Sequence, residues 1–226
     1  MRTLVLAILL TTCLLLQAGC KDSDPIRIGF LGGLTTRAAG LSTSGRDGFQ
    51  LAIEEINAGG GINNRQVEGI IQDTRGHKET ALQAVHSLVG RKVAAIIGPM
   101  TSQTAVAVVP EANLAKIPMI SPTVSTNQLN GLDDYFFRVY YTNAQAARLL
   151  AERLSTHEIK RIAAIYDLGN KAYTEDWINH FQETLAQNNG SEVVRIPFEL
   201  RSDTLFIKLA AQAAEANPQG VLILAN

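Results

Sequence analysis

From Ile26 onward, short continuous apolar runs alternate with stretches in which apolar residues recur every third or fourth position. The runs predict buried strands, and the spaced stretches predict helices with one apolar face. The first run, Ile26–Leu31, is bracketed by Pro25 and Gly32-Gly33. A Gly, Thr and Ser-rich stretch over 32–45 then predicts a long loop. Phe49, Ala52, Ile53 and Ile56 mark the buried face of a helix over Gly45–Asn57, which Gly59-Gly60-Gly61 stops. A strand over Val67–Ile71 ends at Asp73, and Ala81, Ala84, Val85, Leu88 and Val89 stripe the next helix. Val93–Ile97, Ile117–Ser121 and Tyr135–Val139 predict three more strands. Between the first two lies a helix from Gln103 to about Ala115, where Pro110 is expected to introduce a kink or shorten its start.

The cycle then repeats: helix Ala144–Leu154, strand Arg161–Asp167, and helix Thr174–Gln187 with Trp177, Ile178, Phe181 and Leu185 on one face. Strand Glu192–Phe198, helix Asp203–Ala216 and strand Gly220–Ala225 complete it. Continuous apolar strands alternating with helices predict an α/β fold whose parallel sheets are covered on both faces. The break near Tyr140–Gln145 divides the chain into lobe one, 26–140, and lobe two, 141–226. Lobe two carries three strands where a doubly wound lobe usually has five. That predicts an exposed sheet edge and a fragment or prematurely ended reading frame.

Residues 1–20 follow a different pattern. Arg2 precedes an apolar run, Leu4–Leu16, of about 13 residues, short of the roughly 20 that span a bilayer. It fits the apolar region of a secretory signal. The run ends in Leu16-Gln17-Ala18-Gly19-Cys20, which is similar to a bacterial lipobox with Gln17 as its departure. Three outcomes stay open: lipidation at Cys20, ordinary signal cleavage, or an uncleaved anchor. After processing, no cysteine would remain for a disulfide or a thiolate metal site, since Cys13 and Cys20 are the only two. A net charge of −1 on 226 residues argues against nucleic acid as a partner, because phosphate binding needs a basic face.

Enzyme signatures are missing. Gly29-Phe30-Leu31-Gly32-Gly33 is not a dinucleotide fingerprint, and no phosphate-binding GK[ST] loop or G-x-S-x-G elbow occurs. His77, His86, His157 and His180 are scattered without metal spacing, and the pairs Glu54-Glu55 and Asp133-Asp134 are sequence neighbours, which point apart on a helix. What remains are two hydroxyl-rich turns at the carboxyl ends of neighbouring strands: Gly98-Pro99-Met100-Thr101-Ser102 and Ser121-Pro122-Thr123-Val124-Ser125. Ser102 reads equally as a helix cap and as part of an anion site at a helix N-terminus. Thr123 and Ser125 read as a turn or as ligand donors, the 32–44 loop as a surface loop or a gate, and Tyr173 as a cleft rim or a packed helix-entry aromatic. Asn189-Gly190-Ser191 reads as a turn.

Several segments together carry a family resemblance: IRIGFLGGLT, GRDGFQLAIEEINAGGGINNRQVEGIIQDT, ETALQAVHSLV, IIGPMTSQTAVAVVPEANLAKIPMISPTVST, YFFRVYYTNAQ and RIAAIYDLGNKAYTED. From Ile26 to its last residue the chain resembles periplasmic leucine/isoleucine/valine-binding proteins, the type I solute-binding components of amino-acid ABC importers. The resemblance implies a type I periplasmic binding protein fold, with two doubly wound parallel-sheet lobes and the second incomplete. It implies an amino-acid ligand, an ABC permease partner, no enzymatic activity, no cofactor and no metal. It places the ligand backbone on Ser102, on the backbone of Thr123 and on the hydroxyl of Ser125, with Thr101, Met100 and Val124 flanking them. Tyr173 would close over the ligand from lobe two. An aromatic common in the family's first loop falls at Leu41, which makes that contact apolar or weak, and the family's acidic partner for the ligand ammonium falls beyond Asn226. Closure of the lobes about a hinge is the implied mechanism, with binding by this chain expected to be weak or lost. The expected location is the periplasm or another extracytoplasmic space, with a lipid anchor in the membrane. The alternative is a non-transport lipoprotein of the same fold, either a cell-wall synthesis regulator or a sensor ectodomain.

Overall fold

A computed structural model describes residues 24–36, 39–188 and 192–225. The signal-like segment with Cys20 and the Asn189-Gly190-Ser191 turn therefore lie outside the described residues. Five strands, β1 (Ile26–Gly32), β2 (Val67–Asp73), β3 (Ala95–Ile97), β4 (Met119–Ser121) and β5 (Phe136–Arg138), form one parallel sheet in the order β2-β1-β3-β4-β5. Three more, β6 (Arg161–Asp167), β7 (Glu192–Phe198) and β8 (Gly220–Leu224), form a second parallel sheet in the order β7-β6-β8. In each sheet the first strand sits between its two successors in sequence, so the strand order reverses there. Such a reversal opens a crevice at the carboxyl ends of the strands.

Helices α1 (Gly40–Ala58), α2 (Lys78–Gly90) and α3 (Ser102–Leu114) flank the first sheet, and α4 (Asn143–Ser155), α5 (Lys171–Gln187) and α6 (Phe206–Glu215) flank the second. Side chains alternate across a strand, so β1 feeds two cores. Phe30 packs with Phe49 of α1 and with Met100. Its neighbour Leu31 joins Val85, Leu88, Ile96, Val108 and Met119 under α2 and α3. The second sheet repeats the scheme: Tyr166 meets Trp177, Ile178, Phe181 and Leu185 of α5, while Ile165 and Ile196 meet Ala213 of α6.

Two sequence expectations are corrected. The predicted 32–45 loop is shorter, because α1 begins at Gly40 and buries Ser42; Thr43 bonds back to Ala39 O through both its N–H (2.8 Å) and its hydroxyl (3.1 Å). Pro110 does not shorten the start of α3, which runs from Ser102 to Leu114 with Pro110 inside it. The proline is on the exposed side, where water can satisfy a freed carbonyl, while Ala105, Val108, Val109 and Ala112 anchor the opposite face.

Candidate functional site

A cleft of about 570 Å³ opens at the carboxyl ends of β1, β2, β3, β6 and β7, and so lies between the two sheets. From the first sheet come Gly33, Thr35 and Thr36 after β1, Thr74, Arg75 and His77 after β2, and Pro99, Met100 and Thr101 after β3. From the second come Asp167 at the end of β6 and Gly169 after it, and Glu199 and Arg201 after β7. Chain direction explains the grouping, because every strand is parallel and all of these turns emerge on one side of their sheet.

Asp73 holds two of these turns in register. Its Oδ1 accepts from Leu34 N (2.8 Å) and Arg75 N (2.9 Å), and its Oδ2 accepts from the Thr35 hydroxyl (2.6 Å). Partial desolvation pushes its carboxyl up, but the bonds from Thr35, Arg75 and Leu34 outweigh it and hold the carboxyl below its ordinary 3.8. Gly98 makes the switch point possible. Its φ is +112°, and a Cβ there would stand 2.3 Å from Leu31 O, so only glycine lets β3 end this close to β1.

The two hydroxyl turns do come together, but largely through each other. The Ser121 hydroxyl donates to Pro99 O (2.7 Å), and the Thr123 hydroxyl donates to Met100 O (2.7 Å). Ser102 Oγ accepts from both Ser125 N and Thr126 N (3.3 Å each). Ser102, Val124 and Ser125 are buried and do not line the cleft, nor does Thr123; Met100 and Thr101 do line it. Leu41 is 41% exposed and away from the cleft lining, although its neighbour Ser42 borders it. Tyr173 is half-buried against the second core, where burial, and then Tyr141, push its phenol up. Thus the structure brings Ser102, Thr123, Val124 and Ser125 into one braced unit behind the cleft wall formed by Met100 and Thr101.

Residues that sequence reasoning missed join the two halves. Asn170 Oδ1 accepts from Gln103 N (2.9 Å), capping α3 from the other sheet's side, and Gln103 Oε1 accepts from Ala172 N (3.2 Å). Asp176 Oδ2 accepts from Asn127 N (2.9 Å) and from Asn143 Nδ2 (2.7 Å). Asn143 N in turn donates to Ser125 O (2.8 Å). The only sequence signal for Asn170, Gln103, Asn127 and Asn143 was a polar residue at or beside a helix start, and Asp176, inside α5, had none. His77 is the one histidine at the cleft; His86 meets Glu111 (2.8 Å) on an exposed helix surface. Among the described residues no group of three or more His, Cys, Asp or Glu could hold a metal ion.

Comparison with known proteins places this geometry in a family. The profile of the family described as periplasmic binding protein matches residues 25–226. The Leu/Ile/Val-binding protein BraC3 of Rhizobium johnstonii is 29% identical over 171 residues, which are 75% of this chain and 46% of that protein. The leucine-, isoleucine-, valine-, threonine-, and alanine-binding protein of Pseudomonas aeruginosa is 27% identical over 150 residues, 64% of this chain and 39% of that protein. Among solved structures, the branched-chain amino acid transporter substrate binding protein LivJ of Streptococcus pneumoniae, in complex with isoleucine, superposes with a TM-score of 0.78 at 27% identity. The match covers 88% of this chain and 57% of that one. A benzoate-bound solute binding protein of R. palustris shares the fold at 20% identity, with a TM-score of 0.80 over 90% of this chain and 56% of that one. The chain spans about half the length of the curated relatives it matches, 46% of BraC3. It belongs to the periplasmic binding protein family, with the type I fold and a partial second lobe.

Proposed function

We propose that this member of the periplasmic binding protein family is an extracytoplasmic solute-binding protein for branched-chain amino acids or related small solutes. It delivers its ligand to the permease of an ABC importer and is held at the membrane by lipid on Cys20. The observation that carries this reading is the cleft between the two sheets, set at the strand-order reversal of each. Its walls are strand-end turns with small or hydroxylated residues at Gly33, Thr35, Thr36 and Thr101. They offer N–H and O–H donors to a carboxylate and leave apolar surface for an aliphatic side chain. The names of the curated relatives support the amino-acid class.

In this reading the braced turns form one jaw. Met100 and Thr101 face the ligand backbone directly, Ser102, Thr123 and Ser125, with Val124, lie behind them and turn toward it on binding, and Tyr173 closes from the second sheet, with Leu41 at the margin. The contacts of Gln103 with Asn170 and Ala172 and of Asp176 with Asn127 part to admit ligand and re-form on closure. Lobe one is residues 26–140 and lobe two starts at 141.

Isothermal titration of the 226-residue chain with L-leucine, L-isoleucine, L-valine, their amides and benzoate tests the reading. Weak, weaker-than-micromolar one-site binding of an amino acid, lost on Ser102→Ala, is expected. Binding of benzoate alone, or amino-acid binding indifferent to Ser102→Ala, overturns it.

A further inference from the structure

The cleft differs from one end to the other. Among the described residues it is lined from β1, β2, β3, β6 and β7, and takes nothing from the turns after β4 and β8. It therefore runs from Met100 and Thr101 toward β2 and β7, which are edge strands among the described strands of their sheets. With a ligand backbone at Met100 and Thr101, a ligand side chain extends toward the β2 and β7 end. Arg75 lines that end from the first sheet, and Glu199 and Arg201 line it from the second.

Hydrogen-bond donors outnumber acceptors there. A guanidinium carries five N–H donors and no acceptor. Among the described residues Arg75 bonds only through its backbone N, to Asp73 Oδ1, and its guanidinium has no partner. Asp73 does not line the cleft, and its carboxylate is turned to Leu34 N, Arg75 N and the Thr35 hydroxyl. Arg201 holds Glu199 through Nε (3.0 Å) and a second nitrogen, both on the same Oε2. Asp167, the other carboxylate lining the cleft, lies at the end of the middle strand β6, with Oδ1 accepting from Gly169 N (2.9 Å). The hydroxyls near Arg75 are used within their own turns, Thr36 donating to Gly33 O and Thr74 accepting from Gly76 N. The turn itself does not call for arginine either. Arg75 has a φ of +51°, a left-handed backbone that glycine or asparagine adopts more readily.

We infer that the Arg75 guanidinium holds the side-chain carboxylate of an acidic amino acid bound in the cleft, with Arg201 facing it from the second sheet. The guanidinium fork matches a planar carboxylate through two parallel N–H···O bonds. Leu200, between Glu199 and Arg201, offers apolar surface to the ligand's methylene groups. This rests on the amino-acid reading above and deepens it, by naming one class among the related small solutes and the residue that selects it.

Titration calorimetry on the full chain compares L-glutamate with its neutral isostere L-glutamine, and L-leucine tests the amino-acid reading itself. The wild type is expected to bind L-glutamate about tenfold more tightly than L-glutamine, because hydrogen bonds to a charged group are the stronger kind. Arg75 is exposed, so its replacement removes no core packing. Arg75→Ala should bring the ratio of the two affinities close to unity, and Arg75→Glu should invert it by like-charge repulsion. Raising salt from about 50 mM to about 500 mM should lower the wild-type ratio by about twofold or more, since an exposed ion pair is screened; this arm needs no substitution. A ratio that either variant or the added salt leaves at its starting value overturns the assignment. So does a wild type that binds L-leucine but does not prefer L-glutamate to L-glutamine, an outcome that leaves the amino-acid reading intact. A wild type that binds none of the three removes that reading and this inference with it.

Discussion

In the first sheet β3 and β4 lie between other strands, and helices cover them, so Ile96 and Met119 are fully buried. In the second sheet β8 pairs with β6 alone among the described strands. Its Val221 is 54% and its Ile223 67% exposed, and α6 leaves Phe206 and Ile207 open as well. As sequence, AAIIG and GVLILA are the same signal, a continuous apolar run after a turn. The difference teaches that such a run announces a strand but not its burial, since burial depends on what packs against each face. The two halves also differ in how their strand-end turns are held. Those of the first are cross-braced by Ser121, Thr123, Ser102 and Asp73, whereas the turn after β7 is held within itself, by Thr204 bonded to Arg201 N and Glu199 O and by the exposed pair Arg201 with Glu199.

The largest effect that would sharpen this contrast is in the second core. Phe181 is fully buried and stacks on Trp177 with ring centroids 5.1 Å apart. Phe181→Ala is expected to cost about 3–5 kcal/mol, while Ile223→Ser on the open face stays within about 0.5 kcal/mol. Urea unfolding of both variants measures this, and similar losses would mean that the open face is covered in solution. Next in size is the junction. Asp176→Ala leaves Asn127 N and Asn143 Nδ2 without their shared acceptor, an expected loss of about 1.5–3 kcal/mol. Unfolding monitored at Trp177 should then separate from unfolding monitored by global circular dichroism, because the tie between the halves is cut. A single coincident transition would contradict that.

The smallest effect is the pH response of the first-sheet turns. The Asp73 carboxyl sits below its ordinary 3.8 in the folded protein. Its stabilising contribution is therefore complete above that value and is lost as pH falls through the lower folded one. The advantage of wild type over Asp73→Asn should be constant from pH 7 to about 5 and shrink below about pH 4, as thermal melts across that range would record. An advantage that grows on acidification would reverse the assignment.

Much of the architecture was legible in the sequence. The strands Arg161–Asp167 and Glu192–Phe198 fall on their predicted residues. The helix stripe at Trp177, Ile178, Phe181 and Leu185 packs as its spacing implies, because periodicity is a local property and burial acts on it directly. The start of α1 was less legible, since Gly40 and Ser42–Ser44 carry no apolar stripe and join the helix through Thr43 and the burial of Ser42. At the site, residue type identified the two hydroxyl turns but not what their hydroxyls do. Ser121 and Thr123 donate to carbonyls 22 and 23 positions away, and Asn143 meets Asp176 33 positions on.

The sequence alone thus determined the order of strands and helices, the parallel α/β class, the family and the presence of two hydroxyl-rich turns at neighbouring strand ends. Tertiary structure alone decided that those turns brace each other, that Asn170 caps α3 from across the cleft, and that Arg75 and Arg201 line one cleft. The physical reason is range. Apolar periodicity is written within a few residues, but the choice of a hydrogen-bond partner depends on which distant segments the sheets bring together.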